Sequence, residues 1–442
     1  MREDLCGEIQ VVVLMGGAGT RLGELTRETP KPMIKIHDKP FFEYQLMLMK
    51  EAGFRKFLFC TGYHSDDIKI YFGNGEKFGV EINYSFDGPT LRGTCGAVVN
   101  ALPLLEDKFM LIYGDSFMDV NYFGIVIKFL EGMKHGRPAL MTVIENHNKW
   151  DKSNVLYDGG DTLLYDKKIQ LPEMNYIDYG ISMFAKTVFS SLDSNYSGDL
   201  AVIQNKLSVE HKLSAFEVYN RFYEIGTPSS LEEFTRYAYK RFMSNNRAVF
   251  LDRDGVINKI VWNEDIEQLD SPMRPEELEL LPKVTEALKI LESKGYLLFI
   301  VTNQPGAAKG KTSYLTLCRV NDKLIRLIQS EGINIAGIEL CPHHPTGSEN
   351  SDEKFLIHEC TCRKPGTGMI DSLCAKFSID RKNSWMAGDS ATDVICGKNA
   401  GVKTAFIGNF KCDVCHVLNF NKPDVICANL YEFAVNCTAE KG

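Results

Sequence analysis

The stretch VVVLMGGAGTRLGELTRETPKPM, residues 11–33, decides the fold of the first half of the chain. Its apolar run, 11–15, predicts a buried strand, and glycines follow it directly. Gly16, Gly17 and Gly19 allow a tight turn whose backbone amides can point at phosphate oxygens. Open α/β sheets bind their ligands at such strand ends, so this stretch predicts an α/β fold with a binding loop.

Apolar runs and helical patterns alternate outward from that loop. In the first half we predict strands at 11–15, 56–60, 109–113 and 139–144, and a helix at 41–53. In the second half we predict strands at 248–251, 296–301, 385–387 and 404–407, and a helix at 284–295. The alternation predicts two α/β domains, each a mostly parallel sheet flanked by helices.

A helix and a short polar segment separate the two halves. Residues 229–242 have a helical pattern, with Ser229 or Ser230 as the expected N-cap, and Ser-Asn-Asn follows at 244–246. A chain of 442 residues exceeds what one hydrophobic core usually supports. We therefore predict two domains, 1–243 and 247–442.

Composition excludes several classes of protein. The net charge of −8 argues against a broad nucleic-acid-binding surface, and no apolar run is long enough to span a membrane. The start of the chain is acidic and leads into glycines, unlike a signal peptide. We therefore expect a cytoplasmic protein that binds neither nucleic acid nor membrane; a homo-oligomer is among the states that the sequence leaves open.

The glycine-rich loop also carries cations. Arg21, next to Thr20, is a fixed cation suited to phosphate, and Lys31 is a mobile one held in an extended segment by Pro30 and Pro32. The dinucleotide pattern G-x-G-x-x-G does not fit, because no third glycine lies at the right offset. The combination of Thr-Arg in the loop with Pro-Lys-Pro about ten residues later is much more specific than a glycine-rich loop alone.

Through these residues, the segment 9–240 resembles the sugar-nucleotidyltransferase family, which joins a nucleoside triphosphate to a sugar 1-phosphate. The resemblance implies a Rossmann-like nucleotidyltransferase fold and continues through the segments 177–184 and 222–228. It implies that Gly93 and Thr94, in GTCGA, belong to the nucleobase-contacting loop. It further implies that Asp115 holds Mg²⁺, that Lys167 contacts the sugar phosphate, and that Arg21 and Lys31 stabilise the triphosphate as pyrophosphate leaves.

The charges agree with this chemistry. Attack of a sugar phosphate on the α-phosphorus brings two anions together, so catalysis is mainly charge neutralisation and positioning. Many family members have Asp where this chain has Glu224. Glu is an oxygen ligand for Mg²⁺ that reaches further than Asp, and we take Glu224 as the candidate second carboxylate of the site.

The stretch FLDRDGVIN, residues 250–258, begins a second chemistry. Asp252 and Asp254 follow a buried strand, and residues two apart in an extended chain point the same way. One carboxylate can attack phosphorus and form an acyl phosphate, and the other can protonate the leaving oxygen and then activate water. Both need Mg²⁺ to relieve repulsion between the carboxylates and the phosphate, and we predict Asp252 and Asp254 as Mg²⁺ ligands.

Later strand ends supply the remaining groups. Thr302 and Asn303 offer donors to phosphate oxygens, Arg363 and Lys364 are cations, and Asp389 is a metal ligand with Asp393 behind it. In this order the motifs resemble the haloacid-dehalogenase superfamily over residues 248 to about 410, in a form without a cap domain. Within it the region looks like the histidinol-phosphate and heptose-bisphosphate phosphatases.

The second half also carries a metal-ligand pattern. Cys341 and His343 form C-x-H, and Cys360 and Cys362 form C-x-C nineteen residues after the first pair. Three thiolates and one imidazole close a tetrahedral Zn²⁺ site, with His344 as the less favoured imidazole. Four protein ligands leave no open position, so we expect a structural zinc that holds Arg363 and Lys364 toward the phosphate.

The presence of both predicted activities in one chain suggests their substrates. A phosphatase that removes one phosphate of a sugar bisphosphate produces a sugar 1-phosphate, which a nucleotidyltransferase consumes. By family analogy we favour D-glycero-D-manno-heptose 1,7-bisphosphate and GTP. The alternatives are a cytidylyltransferase making a CDP-sugar or CDP-alditol, a histidinol-phosphate phosphatase, and a protein that binds nucleotide and phosphate without turnover.

Overall fold

We describe the chain from a computed structural model, which covers residues 2–17, 22, 29–62, 65–88, 92–160, 163–263, 267–408 and 421–436. It divides into a first unit, Met1–Tyr237, and a second unit, Ala238–Gly442. The division falls inside one helix, a few residues before the boundary that the sequence predicts.

The first unit alternates helices and strands along most of its length. Its helices are α1 (Arg2–Gly7), α2 (Phe41–Glu51), α3 (Ser65–Phe72), α4 (Gly93–Asn100), α5 (Tyr122–Lys134), α6 (Leu200–Val209) and α7 (Pro228–Phe242), the last of which continues past the division. Its strands are β1 (Gln10–Leu14), β2 (Lys35–Ile36), β3 (Lys39–Pro40), β4 (Lys56–Thr61), β5 (Glu81–Phe86), β6 (Lys108–Tyr113), β7 (Ser116–Phe117), β8 (Ala139–Glu145), β9 (Val155–Tyr157), β10 (Leu163–Tyr165), β11 (Tyr176–Ala185), β12 (Leu213–Glu217) and β13 (Tyr223–Glu224).

A nine-stranded sheet organises the first unit. Its main path runs β10-β9-β11-β6-β1-β4-β5, with β8 pairing β11 and β12 beside that path. The apolar run of β1 is buried at the centre, parallel to β4 and to β6, and β5 is parallel to β4. Strand β11 runs antiparallel to β6 and β8. The loops after β1, β4, β5 and β6 therefore share one edge of the sheet, where ligands of such sheets bind.

The second unit has the same α/β character. Its helices are α8 (Val284–Ser293), α9 (Tyr314–Ser330), α10 (Gly368–Phe377), α11 (Ala391–Asn399) and α12 (Leu430–Asn436). Its strands are β14 (Arg247–Leu251), β15 (Val261–Asn263), β16 (Gln268–Asp270), β17 (Tyr296–Asn303), β18 (Ile335–Cys341), β19 (Trp385–Gly388), β20 (Lys403–Ile407) and β21 (Val425–Cys427).

Six of these strands form one parallel sheet in the order β18-β17-β14-β19-β20-β21. Buried residues of β14 alternate between two apolar clusters: Val249 and Leu251 belong to one, and Ala248 and Phe250 to the other. Both faces of the sheet are thus covered, which explains why these strands are continuous apolar runs in the sequence.

The predicted strands and helices are present, with ends shifted by one or two residues. The N-cap expected for α7 was wrong. Thr227, not Ser229 or Ser230, precedes the helix, and its hydroxyl accepts a hydrogen bond from the Ser230 backbone N–H at 3.2 Å. Pro228 takes the first helical position, which needs no N–H donor. Among the described residues, no helix is long and apolar enough to cross a membrane.

Candidate active sites

A cavity of about 210 Å³ opens at the carboxyl edge of the first sheet. Six residues predicted from the sequence line it, together with neighbours that the sequence did not suggest. The predicted ones are Gly16, Gly17, Lys31, Gly93, Thr94 and Asp115; the others include Asp87, Arg92 and Tyr113. The predicted residues Gly19, Thr20 and Arg21 lie outside the described residues.

Lys31 and Asp115 meet in this cavity. The Lys31 Nζ lies 2.8 Å from Asp115 Oδ2, although 84 residues separate them in sequence. A one-turn 3₁₀ helix, Lys31–Met33, places the lysine, and Asp115 follows the end of β6. The lysine is buried apart from a small exposed fraction, so its charge faces the cavity and the carboxylate. This pairing puts a cation beside a carboxylate that can hold a divalent metal.

The predicted nucleobase loop begins helix α4. Gly93 has φ of 75°, and a Cβ there would lie 2.5 Å from the Gly198 carbonyl oxygen, so only glycine fits this close approach. The next residue, Thr94, donates its hydroxyl to Asp199 Oδ1 at 3.2 Å. Asp199 Oδ2 pairs with Lys167 Nζ at 3.2 Å. The structure therefore connects the predicted sugar-phosphate lysine to the predicted base loop through Asp199, which the sequence did not indicate.

Two further acidic residues belong to this region. Burial raises the pKa of Asp178 to about 6, although a bond from the Gly180 backbone N–H and the charge of Lys167 oppose the rise. Glu224 lies in β13 directly opposite Ser116 of β7, next in sequence to Asp115. The Ile225 backbone N–H donates to the Asp115 carbonyl oxygen at 3.0 Å. This strand pair brings the candidate second carboxylate to the neighbourhood of Asp115.

In the second unit, a buried lysine joins two aspartates. The Lys364 Nζ lies 2.9 Å from Asp252 Oδ1 and 2.6 Å from Asp393 Oδ1, and it donates to the Val301 carbonyl oxygen at 2.9 Å. Burial raises the pKa of Asp252, and the charge of Asp393 adds to this, while Lys364 opposes both. Asp393 is therefore part of the site through its ion pair with the lysine, a closer role than the sequence suggested.

The second aspartate of the motif has a different environment. Asp254 accepts hydrogen bonds from the fully buried Arg253, from Asn258 at 2.9 Å and from Gln304 at 2.5 Å. Burial raises the pKa of Asp254, but Arg253 and the other donors outweigh it, so the pKa lies below its ordinary value. The same Gln304 amide donates to Thr302 Oγ1 at 2.9 Å, which holds Thr302 beside this network.

Asn303 fixes the loop that carries the lysine. Its side chain accepts from the Lys364 backbone N–H at 3.0 Å and donates to the Lys364 carbonyl oxygen at 3.1 Å. Arg363 donates to the His343 carbonyl oxygen at 3.3 Å. The loop is thus anchored on one side to the end of β17 and on the other to the predicted zinc ligands.

Carboxylates dominate this site of the second unit. Oxygens of Asp252, Asp389 and Asp393 lie within 4.8 Å of one another. A Cβ on Gly255 would lie 2.1 Å from Asp389 Oδ2, so a glycine is required for the Asp252 loop to approach Asp389. Burial raises the pKa of Asp389 to about 6, and Asp393 adds to the rise. Crowded carboxylates of this kind, two half-buried and one buried, fit a hard divalent cation such as Mg²⁺. The Asp254 side chain, predicted as a ligand, is not in this cluster.

The four predicted zinc ligands converge. The Nδ1 or Sγ atoms of Cys341, His343, Cys360 and Cys362 all lie within 4.8 Å of one another. The Cys362 Sγ is 3.2 Å from His343 Nδ1 and 3.2 Å from Cys341 Sγ. His344 lies outside the cluster, because its Nδ1 accepts from the Gly347 backbone N–H. Three thiol groups and one imidazole suit Zn²⁺ in a closed, structural site.

Comparisons with known proteins divide the chain in the same way. A family model described as nucleotidyl transferase matches residues 10–240, more than half of the chain, and one described as HAD-hydrolase-like matches residues 361–433. A D-glycero-beta-D-manno-heptose-1,7-bisphosphate 7-phosphatase from Haemophilus ducreyi is 36% identical over 159 residues, which cover 36% of this chain and 80% of that protein. The chain therefore belongs to the nucleotidyl transferase family through its first unit and to the HAD-like phosphatases through its second.

The chain is also similar to two further proteins. A D-glycero-alpha-D-manno-heptose 1-phosphate guanylyltransferase from Campylobacter jejuni is 27% identical over 241 residues, 54% of this chain and 100% of that protein. A D,D-heptose 1,7-bisphosphate phosphatase from B. bronchiseptica, solved with magnesium and phosphate, is 26% identical, covers 42% of this chain and 96% of its own, and has a TM-score of 0.34. The chain is thus a bifunctional enzyme, a nucleotidyltransferase joined to a phosphatase.

Proposed function

We propose that the two units catalyse two steps in the synthesis of one nucleotide-activated heptose. The second unit removes the C7 phosphate of D-glycero-D-manno-heptose 1,7-bisphosphate, and the first joins the resulting heptose 1-phosphate to GTP with release of pyrophosphate. One observation carries the choice of substrates: the relatives of the two units are a heptose-bisphosphate 7-phosphatase and a heptose 1-phosphate guanylyltransferase, and a 1-phosphate is what the first leaves and the second uses. These relatives favour guanylyl over cytidylyl transfer.

The phosphatase step starts at Asp252. Its carboxylate oxygen attacks the C7 phosphorus, the bond from phosphorus to the sugar oxygen breaks, and the phosphoryl group stays on the aspartate until water hydrolyses the acyl phosphate. Lys364 balances the charge of the nucleophile, and Thr302 and Asn303, at the end of β17 beside β14, offer donors to the phosphate oxygens. Asp252 and Asp389 would hold Mg²⁺, which neutralises the phosphate. Asp254, which Asn258 and Gln304 position, is the acid that protonates the leaving sugar oxygen and then the base that takes a proton from the water that hydrolyses the acyl phosphate.

In the first unit, an oxygen of the sugar phosphate attacks the α-phosphorus of the nucleotide and pyrophosphate leaves. Lys31 faces the cavity where the triphosphate would lie, together with the loop amides of Gly16 and Gly17. Lys167, held by Asp199, is the cation for the sugar phosphate. Asp115, with Glu224 as the candidate second ligand, would hold the Mg²⁺ that neutralises the triphosphate.

The anomer follows from the order of steps. Hydrolysis at C7 leaves the bond at C1 untouched, so the bisphosphate must already have the anomeric configuration that the transferase uses. The guanylyltransferase relative is named for the α anomer. We therefore assign the α anomer to both steps, although the Haemophilus phosphatase is named for the β anomer.

Three further assignments complete this proposal. Mg²⁺ serves both active sites, a structural Zn²⁺ occupies the Cys341–Cys362 cluster, and the enzyme works in the cytoplasm, where nucleoside triphosphates are available. The zinc assignment is supported by the donor set and its convergence.

Phosphate release by the full chain tests the phosphatase assignment. We expect kcat/KM for the α-heptose 1,7-bisphosphate to exceed that for the β anomer and that for an aryl phosphate by at least an order of magnitude. Equal turnover of the bisphosphates and the aryl phosphate would refute the heptose assignment. Preference for the β anomer would refute the matching of the two steps.

A further inference from the structure

The side-chain amide of Gln304 lies between two functional groups of the second unit. Gln304 follows Asn303, the last residue of β17, and is fully buried. Its backbone N–H donates to the Cys341 carbonyl oxygen at 2.8 Å, which ties it to the end of β18. Its Nε2 donates to Asp254 Oδ2 at 2.5 Å and to Thr302 Oγ1 at 2.9 Å. An amide nitrogen has two hydrogens, so both are committed to residues that the phosphatase reaction uses.

The two acceptors fix the orientation of this amide. An ionised carboxylate only accepts hydrogen bonds, so the nitrogen of Gln304, and not its oxygen, has to face Asp254. The Gln304 Oε1 is buried and has no hydrogen-bond partner among the described residues. Buried polar atoms are almost always paired, so this exception calls for a reason. A glutamine that served packing alone would pair both of its ends, whereas this one directs both donors at the active site.

The bond from Gln304 also restricts the hydroxyl group of Thr302. A hydroxyl has one hydrogen and two lone pairs. Because Thr302 Oγ1 accepts from the amide, its hydrogen has to point away from Gln304. In the described part of the chain, Oγ1 has no other hydrogen-bond partner. Strand β17 pairs with β14, which ends directly before Asp252, so the hydrogen is left for an oxygen of a phosphate that this nucleophile attacks.

We propose that Gln304 is a positioning residue of the phosphatase, which directs the Thr302 hydroxyl hydrogen to an oxygen of the transferred phosphoryl group. Charge in phosphoryl transfer is spread over the three equatorial oxygens of that group. A donor whose direction is fixed beforehand stabilises this charge without reorganising during the reaction. Thr302 only donates a hydrogen bond and keeps its proton throughout. The inference rests on the proposed attack by Asp252, but on no particular sugar.

The test is a double-mutant cycle on the full chain, with phosphate release from 4-nitrophenyl phosphate as the assay. Thr302→Val should lower kcat about 100-fold, the usual cost of one donor to transition-state charge. Gln304→Leu removes both amide donors and should lower kcat about 10-fold with KM nearly unchanged, because Gln304 acts through a contacting residue and touches no substrate. In the Thr302→Val background, Gln304→Leu should cost at most about threefold, since no hydroxyl remains to be directed.

Two further variants make the cycle decisive. In a Thr302→Ser background the hydroxyl is kept, so the full effect of Gln304→Leu should return. Gln329→Leu, at an exposed site on α9, is the matched control and should keep the wild-type kcat and KM.

An equal loss from Gln304→Leu in the wild-type and Thr302→Val backgrounds would overturn the inference, because a smaller folded fraction lowers kcat by the same factor in both. An unchanged kcat in Gln304→Leu would overturn it as well. Undiminished phosphate release by Asp252→Asn would instead refute the proposed nucleophile. Because 4-nitrophenyl phosphate is not a sugar phosphate, none of these results depends on the heptose assignment.

Discussion

Replacing Lys364 with methionine tests the buried ion-pair cluster of the phosphatase. The side chain of Lys364 is 2% exposed, and its Nζ lies 2.9 Å from Asp252 and 2.6 Å from Asp393. The two carboxylates raise the pKa of the lysine well above its ordinary value despite burial, so it is charged. Methionine keeps the unbranched apolar part of the side chain but leaves both aspartates without their cation.

The size of the effect follows from burial. Removing one partner of a buried ion pair destabilises a protein by about 3–5 kcal/mol. For a domain of this size, that corresponds to a fall in melting temperature of roughly 6–20 °C. Phosphatase activity should fall at least 100-fold, the usual cost of losing one charged group that stabilises a transition state.

The assay is thermal unfolding of the full chain without Mg²⁺, with transferase activity as the internal control. Lys289→Met is the matched variant, because Lys289 pairs with Glu331 where both side chains are about half exposed. Exposed pairs are worth about 0–1 kcal/mol, so this variant should melt close to wild type. If Lys364→Met melts within about a degree of wild type, the buried cluster does not stabilise the unit and the reasoning fails.

Three other predictions follow from the same structure. Lys31→Ala should lower kcat for nucleotidyl transfer by about 10²–10³-fold and leave phosphate release unchanged, with exposed Lys35→Ala as control; equal losses in both activities would contradict it. Metal analysis should find one zinc per wild-type chain, and Cys362→Ser should lose this zinc and have lower phosphatase activity. Cys374→Ser, outside the cluster, should keep the metal. Zinc retained by Cys362→Ser would contradict the assignment of Cys362 as a ligand. Asp178→Asn should stabilise the first unit above pH 6. Burial raises the pKa of the folded Asp178 carboxyl to about 6, so folding favours the protonated form. The free energy of unfolding of the wild type therefore falls by about 2–3 kcal/mol as pH rises from about 4 to 6, and asparagine avoids this loss. Urea unfolding at pH 4.5 and 7.5 measures this, and a variant no more stable than wild type at pH 7.5 would refute it.

The sequence predicts the parts of both sites that lie in short motifs after buried strands. Asp252, Lys364 and the four zinc ligands belong to motifs whose spacing is itself chemically constrained. The neighbours of Lys364 were harder to assign, because Asp393 looks like a helix-capping residue in sequence and does cap α11. Arg253 is a similar case: arginines are mostly exposed, yet this one is fully buried against Asp254.

Site residues that belong to no sequence motif were not predicted, for physical reasons. Asp87 follows β5, whose sequence EINYSF alternates polar and apolar residues instead of forming an apolar run. That strand was not predicted, so the residue after it was not considered. Asp199 contacts Thr94 across 105 residues, and no local pattern signals such a contact. Recognising edge strands by alternation would have found Asp87, whereas Asp199 needs the fold.

The sequential action of the two units is tested most directly by measuring GDP-heptose formation by the full chain, as wild type and as Asp252→Asn. Each protein is incubated with GTP, Mg²⁺ and either α-heptose 1,7-bisphosphate or α-heptose 1-phosphate. We predict that wild type converts both, releasing one inorganic phosphate per product only from the bisphosphate. Asp252→Asn should convert the 1-phosphate at the wild-type rate and the bisphosphate not at all. If Asp252→Asn makes the product from the bisphosphate as fast as wild type, the two units do not act in sequence through that aspartate.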